Sequence, residues 1–277
     1  MKILLTGGNG FLGKHLQHSL HAEGIEYRVF NRDLNEIGSF EEKFDVLIHL
    51  AAKLKSNNDD FNLYEANVIG TQCVIDLCIK QKAKLIFLST SGVYGESDEL
   101  ISVGESSFVN PQTAYPISKF LGEKLCERAH NNADLNAIML RIFNVFGPDQ
   151  KDGFIIPDIL TAIKVSKPLI LKTPYANRDF VYISDVIRSI ILSLFINGFH
   201  TINIGSGNSL SILALVEKIE MILDRKIEID LTKVLSDTKK GISADISTAK
   251  RILNWEPRID LCSGLTDVLK SEGLLGT

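Results

Sequence analysis

The sequence has few residues that cross-link or kink a chain: four cysteines and seven prolines in 277 residues. It also lacks an apolar run of membrane-spanning length, so no spanning helix is expected. A formal net charge of -4 leaves no overall basic footprint, which argues against nucleic acid or an anionic membrane as partner. Any anion site must therefore be local. Cys73, Cys78, Cys126 and Cys262 have neither zinc-type spacing nor the density of a disulfide scaffold, so buried reduced thiols and no metal site are expected. The first apolar residues, Ile3-Leu4-Leu5, run straight into Thr6-Gly7-Gly8, leaving no room for a signal or transit segment. A cytoplasmic protein is expected. No repeat, low-complexity tract or Pro/Ser-rich linker divides the chain.

What is present is ordinary globular composition, 45% hydrophobic and 23% charged, with enough apolar residues for a sizeable core in one large domain or two. Strand patterns at residues 2–5, 27–30, 45–50, 84–89 and 137–142 alternate with helical patterns at 11–22, about 59–81 and 113–130. Alternation of this kind, with near-continuous apolar strands, predicts a doubly wound α/β fold around a parallel sheet. Beyond Gly147-Pro148 the pattern loosens: helices are expected at 155–165 and 213–223, and short strands at 180–183 and 201–204. The expected organisation is a dinucleotide-binding (Rossmann) domain over 1–150, with a return at 179–205. Residues 151–277 then form mainly a smaller, mostly α substrate lobe at one edge of the sheet. Open α/β sheets bind ligands beyond the carboxyl ends of their strands, so such a lobe would close a cleft.

Thr6-Gly7-Gly8-Asn9-Gly10-Phe11-Leu12-Gly13 joins the first strand to the first helix. Glycines permit a tight turn and close backbone approach, and a following helix offers free N–H groups and its positive dipole end to a pyrophosphate. Gly7, Asn9, Gly10, Phe11, Leu12 and Gly13 are therefore candidate dinucleotide contacts. The end of the second strand separates NAD from NADP, because a carboxylate there bonds the ribose 2′-hydroxyl and repels a 2′-phosphate. Asn31 stands in that place and Arg32 could pair with a phosphate, which favours NADP(H). Asp33, one short register shift away, keeps NAD(H) open. Lys14 reads as a solvated helix position.

Tyr115-Pro-Ile-Ser-Lys119 places a phenol and an ammonium on one helix face, one turn apart. A cation beside a tyrosine stabilises the phenolate and is expected to lower its pKa towards working pH, suiting it to acid/base work on alcohols and carbonyls. Pro116 is tolerated only in a first helical turn, so the helix should begin near Gln112 or Thr113.

With these motifs the chain resembles the extended short-chain dehydrogenase/reductase family, the nucleotide-sugar epimerases, dehydratases and reductases. Further matches follow in family order. They are Asp45-Val-Leu-Ile-His-Leu-Ala-Ala52, Tyr64-Glu-Ala-Asn67-Val-Ile-Gly70-Thr71, Leu88-Ser-Thr90-Ser-Gly-Val-Tyr94-Gly95 and Leu140-Arg-Ile-Phe-Asn144-Val-Phe-Gly147-Pro148. Arg178-Asp-Phe-Val-Tyr-Ile-Ser-Asp185-Val186, Asn203-Ile-Gly-Ser-Gly207 and the stretch from Ala244 to Pro257 continue the series. The resemblance implies Tyr115 as acid/base, Lys119 on the nicotinamide ribose and Thr90 as the hydroxyl that polarises the substrate oxygen. It implies that Leu50, Ala51, Ala52 and Asn67 help hold the cofactor, and that Asn144 and Arg178 meet the substrate. Tyr94 is expected to pack, and His49 to be a satisfied core histidine. A homodimer through the two long helices is implied as well.

Three departures narrow the reaction. Ser91-Gly92 replaces the Asp-Glu that follows the catalytic threonine in sugar 4,6-dehydratases, so dehydration is not expected. The stretch between Arg32 and Asp45 is too short for a third strand and helix, a trimming similar to compact 4-keto-6-deoxysugar reductases. An arginine usual before the last motif is absent, with Ser236-Asp-Thr-Lys-Lys-Gly241 in its place, where Lys239 or Lys240 could assist Arg178. The sequence reading is an NADP(H)-dependent reductase of a nucleotide-activated 4-keto-6-deoxyhexose. Its alternatives are an NAD-dependent 4-epimerase and, last, a non-catalytic cofactor-binding scaffold.

Overall fold

The computed structural model describes residues 1–54, 60–235 and 240–276. In chain order the first half contains β1 (Lys2–Thr6), α1 (Phe11–Ala22), β2 (Glu26–Phe30), β3 (Val46–His49), α2 (Asp60–Tyr64), α3 (Gly70–Gln81), β4 (Lys84–Thr90), β5 (Leu100–Val103), α4 (Ala114–Ala133) and β6 (Ala137–Ile142). There follow β7 (Asn144–Phe146), α5 (Ile155–Val165), β8 (Leu169–Ile170), β9 (Asn177–Tyr182), α6 (Ile183–Ser193), β10 (Phe199–Ile204), β11 (Ser209–Ser211), α7 (Ile212–Leu223), β12 (Ile229–Asp230), β13 (Gly241–Ala244), α8 (Ser247–Leu253) and α9 (Leu261–Ser271).

Six strands form a parallel sheet in the order β10-β6-β4-β3-β1-β2. Alternate side chains of each strand leave on opposite faces. Ile3 and Leu5 pack with Leu16 and Leu20 of α1 and Val186 and Ile190 of α6, while Leu4 packs with Val74 and Cys78 of α3 and Cys126 of α4. This is the expected doubly wound α/β arrangement. Between β2 and β3 the chain makes only a 3-10 turn, Leu34–Ser39.

The segments leaving β4 and β6 at their carboxyl ends feed a second sheet, β11-β9-β13-β5, with β7 added alongside β9. Strands β5 and β13 of this sheet are joined by long-range pairing, Leu100 to Gly241 through Val103 to Ala244. β10, by contrast, returns to the main sheet beside β6.

Three details differ from expectation. Helix α6 begins at Ile183, where a strand is expected to end. The long helix expected over about 59–81 is interrupted by a π-turn at Glu65–Ile69, in which Gly70 N–H reaches back to Glu65 O; the expected start at Asp59 lies outside the described residues. Cys262 is exposed on α9, whereas Cys78 and Cys126 are buried; all four thiols are free. Among the described residues, no helix is long and apolar enough to cross a membrane.

Candidate active site

The glycine turn is built by backbone contact. Gly7 has φ +73°, and a Cβ there would lie 2.5 Å from Ala51 N; one on Gly13 would lie 2.3 Å from Gly7 O. The end of β1, the segment after β3 and the first turn of α1 are therefore packed with no room for side chains. Gly10 caps α1 and no side chain satisfies its first turn. Free N–H groups at a helix start, next to backbone this closely approachable, fit the pyrophosphate of a dinucleotide.

Strand β2 ends at Phe30, so Asn31 is the first residue beyond it, with its amide oxygen 3.5 Å from Asn9 Nδ2. Asp33 faces its own loop, where its carboxylate accepts from Asn35 N at 2.9 Å and caps the 3-10 turn. Arg32 is also engaged, 3.6 Å from Glu36, within 3.4 Å of Ser39 Oγ and over the Phe30 ring. A carboxylate thus stands beside it. Lys14 is exposed.

Leu50, Ala51 and Ala52 follow β3 beside the turn. The next residue is held at both of its backbone polar groups by Asn67, whose Oδ1 accepts from Lys53 N at 2.8 Å while Nδ2 donates to Lys53 O at 2.9 Å. Asn67 is 2% exposed and sits in the π-turn, a wide turn that often marks functional positions. It secures the loop that follows β3. His49 has a hydroxyl partner on each ring nitrogen, at 2.7 and 3.0 Å.

Thr90 closes β4, and its Oγ1 accepts from Gly92 N at 3.1 Å. A Cβ on Gly92 would fall 2.8 Å from Pro116 Cγ, so this loop lies directly on the first turn of α4. That helix begins at Ala114 after Thr113, and Pro116 occupies its first turn as its missing N–H requires. Tyr115 is half-buried and Lys119, one turn on, is 3% exposed with its ammonium 4.3 Å from the Phe87 ring centre. Among the described residues no carboxylate pairs with Lys119. Burial lowers its pKa to about 8, with Cys126 and Glu123 working against the shift. Burial pushes the Tyr115 phenol up to about 12. This corrects the expected lowering: desolvation of the phenolate sets the direction.

Thr90, Ser91, Gly92, Thr113 and Pro116 form one wall of a cavity of about 370 Å³, and Asn144, Arg178 and Lys240 line it as well. Tyr115 and Lys119 adjoin this cavity through Pro116 rather than line it. Asn144 on β7 donates to Asp179 O at 3.0 Å. Asp179, fully buried, accepts from Ser206, Gly207 and Ala244 N–H groups at 2.7 to 3.0 Å and so locks β9 beside β13. Its neighbour Arg178 donates to Asn177 O and, among the described residues, has no carboxylate partner. Lys240 lies 3.7 Å from Glu96 and 3.5 Å from Asp98; Lys239 is outside the described residues. No cluster of potential metal ligands occurs among the described residues.

Sequence reasoning misses Ser118, which takes a hydrogen bond from Asn67 and donates to Tyr115 O at 2.7 Å. Its position three residues after Tyr115 on the helix is the available signal. Also missed is the buried pair of Arg141 and Glu123, whose separation by a helix and a strand carries no local signal.

A model of the NAD dependent epimerase/dehydratase family matches residues 3–205. The chain is 31% identical to the uncharacterized UDP-glucose epimerase YtcB of Bacillus subtilis, over 96% of each protein. It is 30% identical to dTDP-4-dehydro-6-deoxyglucose reductase of Escherichia coli, over 97% of this chain and 96% of that one. The solved structure of UDP-glucuronic acid 4-epimerase from Bacillus cereus in complex with NAD superimposes with a TM-score of 0.89 at 28% identity, covering 99% of both chains.

Proposed function

The chain belongs to the NAD dependent epimerase/dehydratase family, and on that premise we propose that it is an NAD-dependent 4-epimerase of a nucleotide-activated hexose. Membership makes it an NAD(P)-dependent enzyme of the extended short-chain dehydrogenase/reductase type. The observation that carries the proposal is the cavity on which Thr90, the first turn of the Tyr115 helix and Arg178 converge.

In this reading Gly7, Asn9, Gly10, Phe11, Leu12 and Gly13 hold the pyrophosphate, and Asn31 holds the adenosine ribose. Residues 50–52 would help hold the dinucleotide, and Lys119 would bond its nicotinamide ribose. Bound there, a nicotinamide dinucleotide supplies reversible hydride transfer at the sugar carbon. Tyr115 Oη takes the proton of the sugar hydroxyl and returns it, the neighbouring Lys119 ammonium easing the charge on the phenolate oxygen. Thr90 Oγ1 bonds the same sugar oxygen as it changes between alcohol and carbonyl. Arg178 pairs with the diphosphate, whose geometry suits a guanidinium, and Asn144 bonds the sugar side. Ser91-Gly92, which follow Thr90, supply no acid or base for a dehydration.

The cofactor end supports NAD over the NADP(H) favoured on sequence. Arg32 is already partnered by Glu36, and Asp33 adds a second acid nearby, an environment that suits a free 2′-hydroxyl better than a phosphate. Two observations favour NADPH-dependent reduction of a 4-keto-6-deoxyhexose as the second reading: the short 3-10 turn between β2 and β3, and the 30% identity to the E. coli reductase. Denaturing the purified protein and analysing what it releases separates the readings. Stoichiometric NAD⁺ is expected. An empty protein that oxidises NADPH only with a 4-keto sugar nucleotide would replace the epimerase with the reductase.

A further inference from the structure

His49 is fully buried, yet the chemistry proposed above gives it nothing to do. Its Nδ1 lies 2.7 Å from Thr6 Oγ1 and its Nε2 3.0 Å from Thr71 Oγ1. Thr71 donates its hydroxyl proton to the Asn67 carbonyl at 2.6 Å, and a carbonyl oxygen can only accept. That constraint orients every proton in the row. Thr71 Oγ1 must accept from His49, so the ring proton sits on Nε2. The Nδ1 atom must accept, so Thr6 donates to it and turns its own lone pair to the Ala51 N–H, 3.4 Å away. Burial, reinforced by the Lys119 charge, pushes the ring pKa down to about 3, so the imidazole is neutral and its tautomer, not its charge, is what the site uses.

The row has two functional ends. At one, Ala51 belongs to the segment against which Gly7 packs without a side chain. At the other, Asn67 clasps Lys53 N and O and donates to Ser118 Oγ at 2.9 Å, which in turn donates to the carbonyl of Tyr115. The loop of residues 51–53 is thus pinned near both ends, and the same bonds reach the first turn of α4. An apolar side chain could fill the space of His49, but a buried polar chain with every member satisfied selects one arrangement of the groups it joins.

We propose that His49 is a positioning residue: a neutral imidazole of fixed tautomer, bonded by Thr6 and Thr71, that holds the dinucleotide-facing loop and the Tyr115 turn in register. Dinucleotide binding and proton transfer then both depend on a side chain that touches neither. The inference rests on the enzymatic reading above, and its test contains arms that do not.

The test compares Thr71→Val, which keeps shape and removes the hydroxyl, with Thr71→Ser, which keeps the hydroxyl, and with Thr6→Val alone and in combination. Displacements well under 1 Å at a positioned group cost about tenfold or more. Thr71→Val is therefore expected to weaken NAD⁺ binding, measured by calorimetry on protein stripped of its nucleotide, about tenfold and to lower kcat by a similar factor, with KM for the sugar nucleotide within about twofold. Thr71→Ser should restore both. The double Val variant should be no worse than the poorer single one, because a row broken once is broken. Nitrogen-15 spectra of the imidazole in the native protein should show the proton on Nε2. A ring protonated on Nδ1 would overturn the proposal, as would a Thr71→Val protein with native NAD⁺ affinity and kcat and only a lower Tm. If Thr71→Val does not fold, Thr6→Val and the native-protein spectra still decide. If no sugar nucleotide is turned over, the proposed function fails while the NAD⁺ affinities and the tautomer continue to test His49.

Discussion

Two buried cations stand a helix and a strand apart and are treated in opposite ways. Arg141 on β6 is 5% exposed and well partnered: it meets the Glu123 carboxylate with two nitrogens at 3.0 and 2.7 Å, and gives a third to Tyr94 Oη and the Glu105 carbonyl. Burial works to lower its pKa, but the hydrogen bonds and charge of Glu123 outweigh it and hold the group above the usual arginine range. Lys119 on α4 is 3% exposed and has an aromatic face for company and no carboxylate partner among the described residues. Its proton is held loosely as a result. Burial of charge does not by itself mark a reacting group. What distinguishes the two is satisfaction: Arg141 has four hydrogen bonds to protein groups, whereas the Lys119 ammonium has no hydrogen-bonded carboxylate among the described residues.

The contrast is broken most sharply at Glu123. Its carboxylate also accepts from Ser89, and removing it strands a buried guanidinium. Glu123→Ala is expected to lose about 3–5 kcal/mol in urea unfolding. A loss under about 1 kcal/mol would mean that the pair is a surface-grade contact and the comparison is false.

Removal of the other cation should do the reverse. A lysine whose pKa falls from 10.5 to about 8 on folding binds its proton less tightly in the native state. The cost to stability is fully present below about pH 8 and disappears as pH rises from there to about 10.5. Lys119→Met should therefore stabilise the protein by up to about 3 kcal/mol at neutral pH, with the gain fading through that window, while catalysis drops about 100-fold or more. Unfolding curves of both proteins at neutral and alkaline pH check this; parallel curves at every pH would show that Lys119 is not desolvated.

The smallest effect concerns pH alone. With the ammonium lost above about pH 8, kcat of the native enzyme should decline on an alkaline limb there, and Lys119→Arg, permanently charged, should lack that limb even at a lower absolute rate. A limb retained in the arginine variant would assign it to another group.

The parts of this molecule readable in advance are those whose cause is local. The glycine turn, the apolar strands and the Pro116 boundary each follow from a few consecutive residues. Helix α6 is not among the expected elements, although Ile183, Val186, Ile187, Ile190 and Ile191 recur at helical spacing and are all buried; an expected strand claims the first of them. The engagement of Arg32 by Glu36 four residues on is likewise a local rule, since residues at that spacing are neighbours on one helical face. The pair of Glu123 with Arg141 joins a helix to the next strand, that of Asp179 with Ala244 joins elements far apart in sequence, and the desolvation that reverses the expected Tyr115 shift depends on everything packed around it. No window of sequence contains those causes.

The pairing of β5 with β13 has a consequence in time. A ribosome delivers Leu100–Val103 long before Gly241–Ala244, and these four residues find their parallel neighbour only in the later segment. Parallel pairing over such a separation is slow, because the intervening chain must be ordered before the contact stabilises anything. The main sheet can assemble from residues up to Ile204, whereas the wall that carries Lys240 and faces Thr90 must wait for nearly the whole chain. A nascent or truncated molecule would thus present a finished nucleotide cradle beside an unpaired strand edge, a form inclined to stick to its copies before it could recognise a sugar.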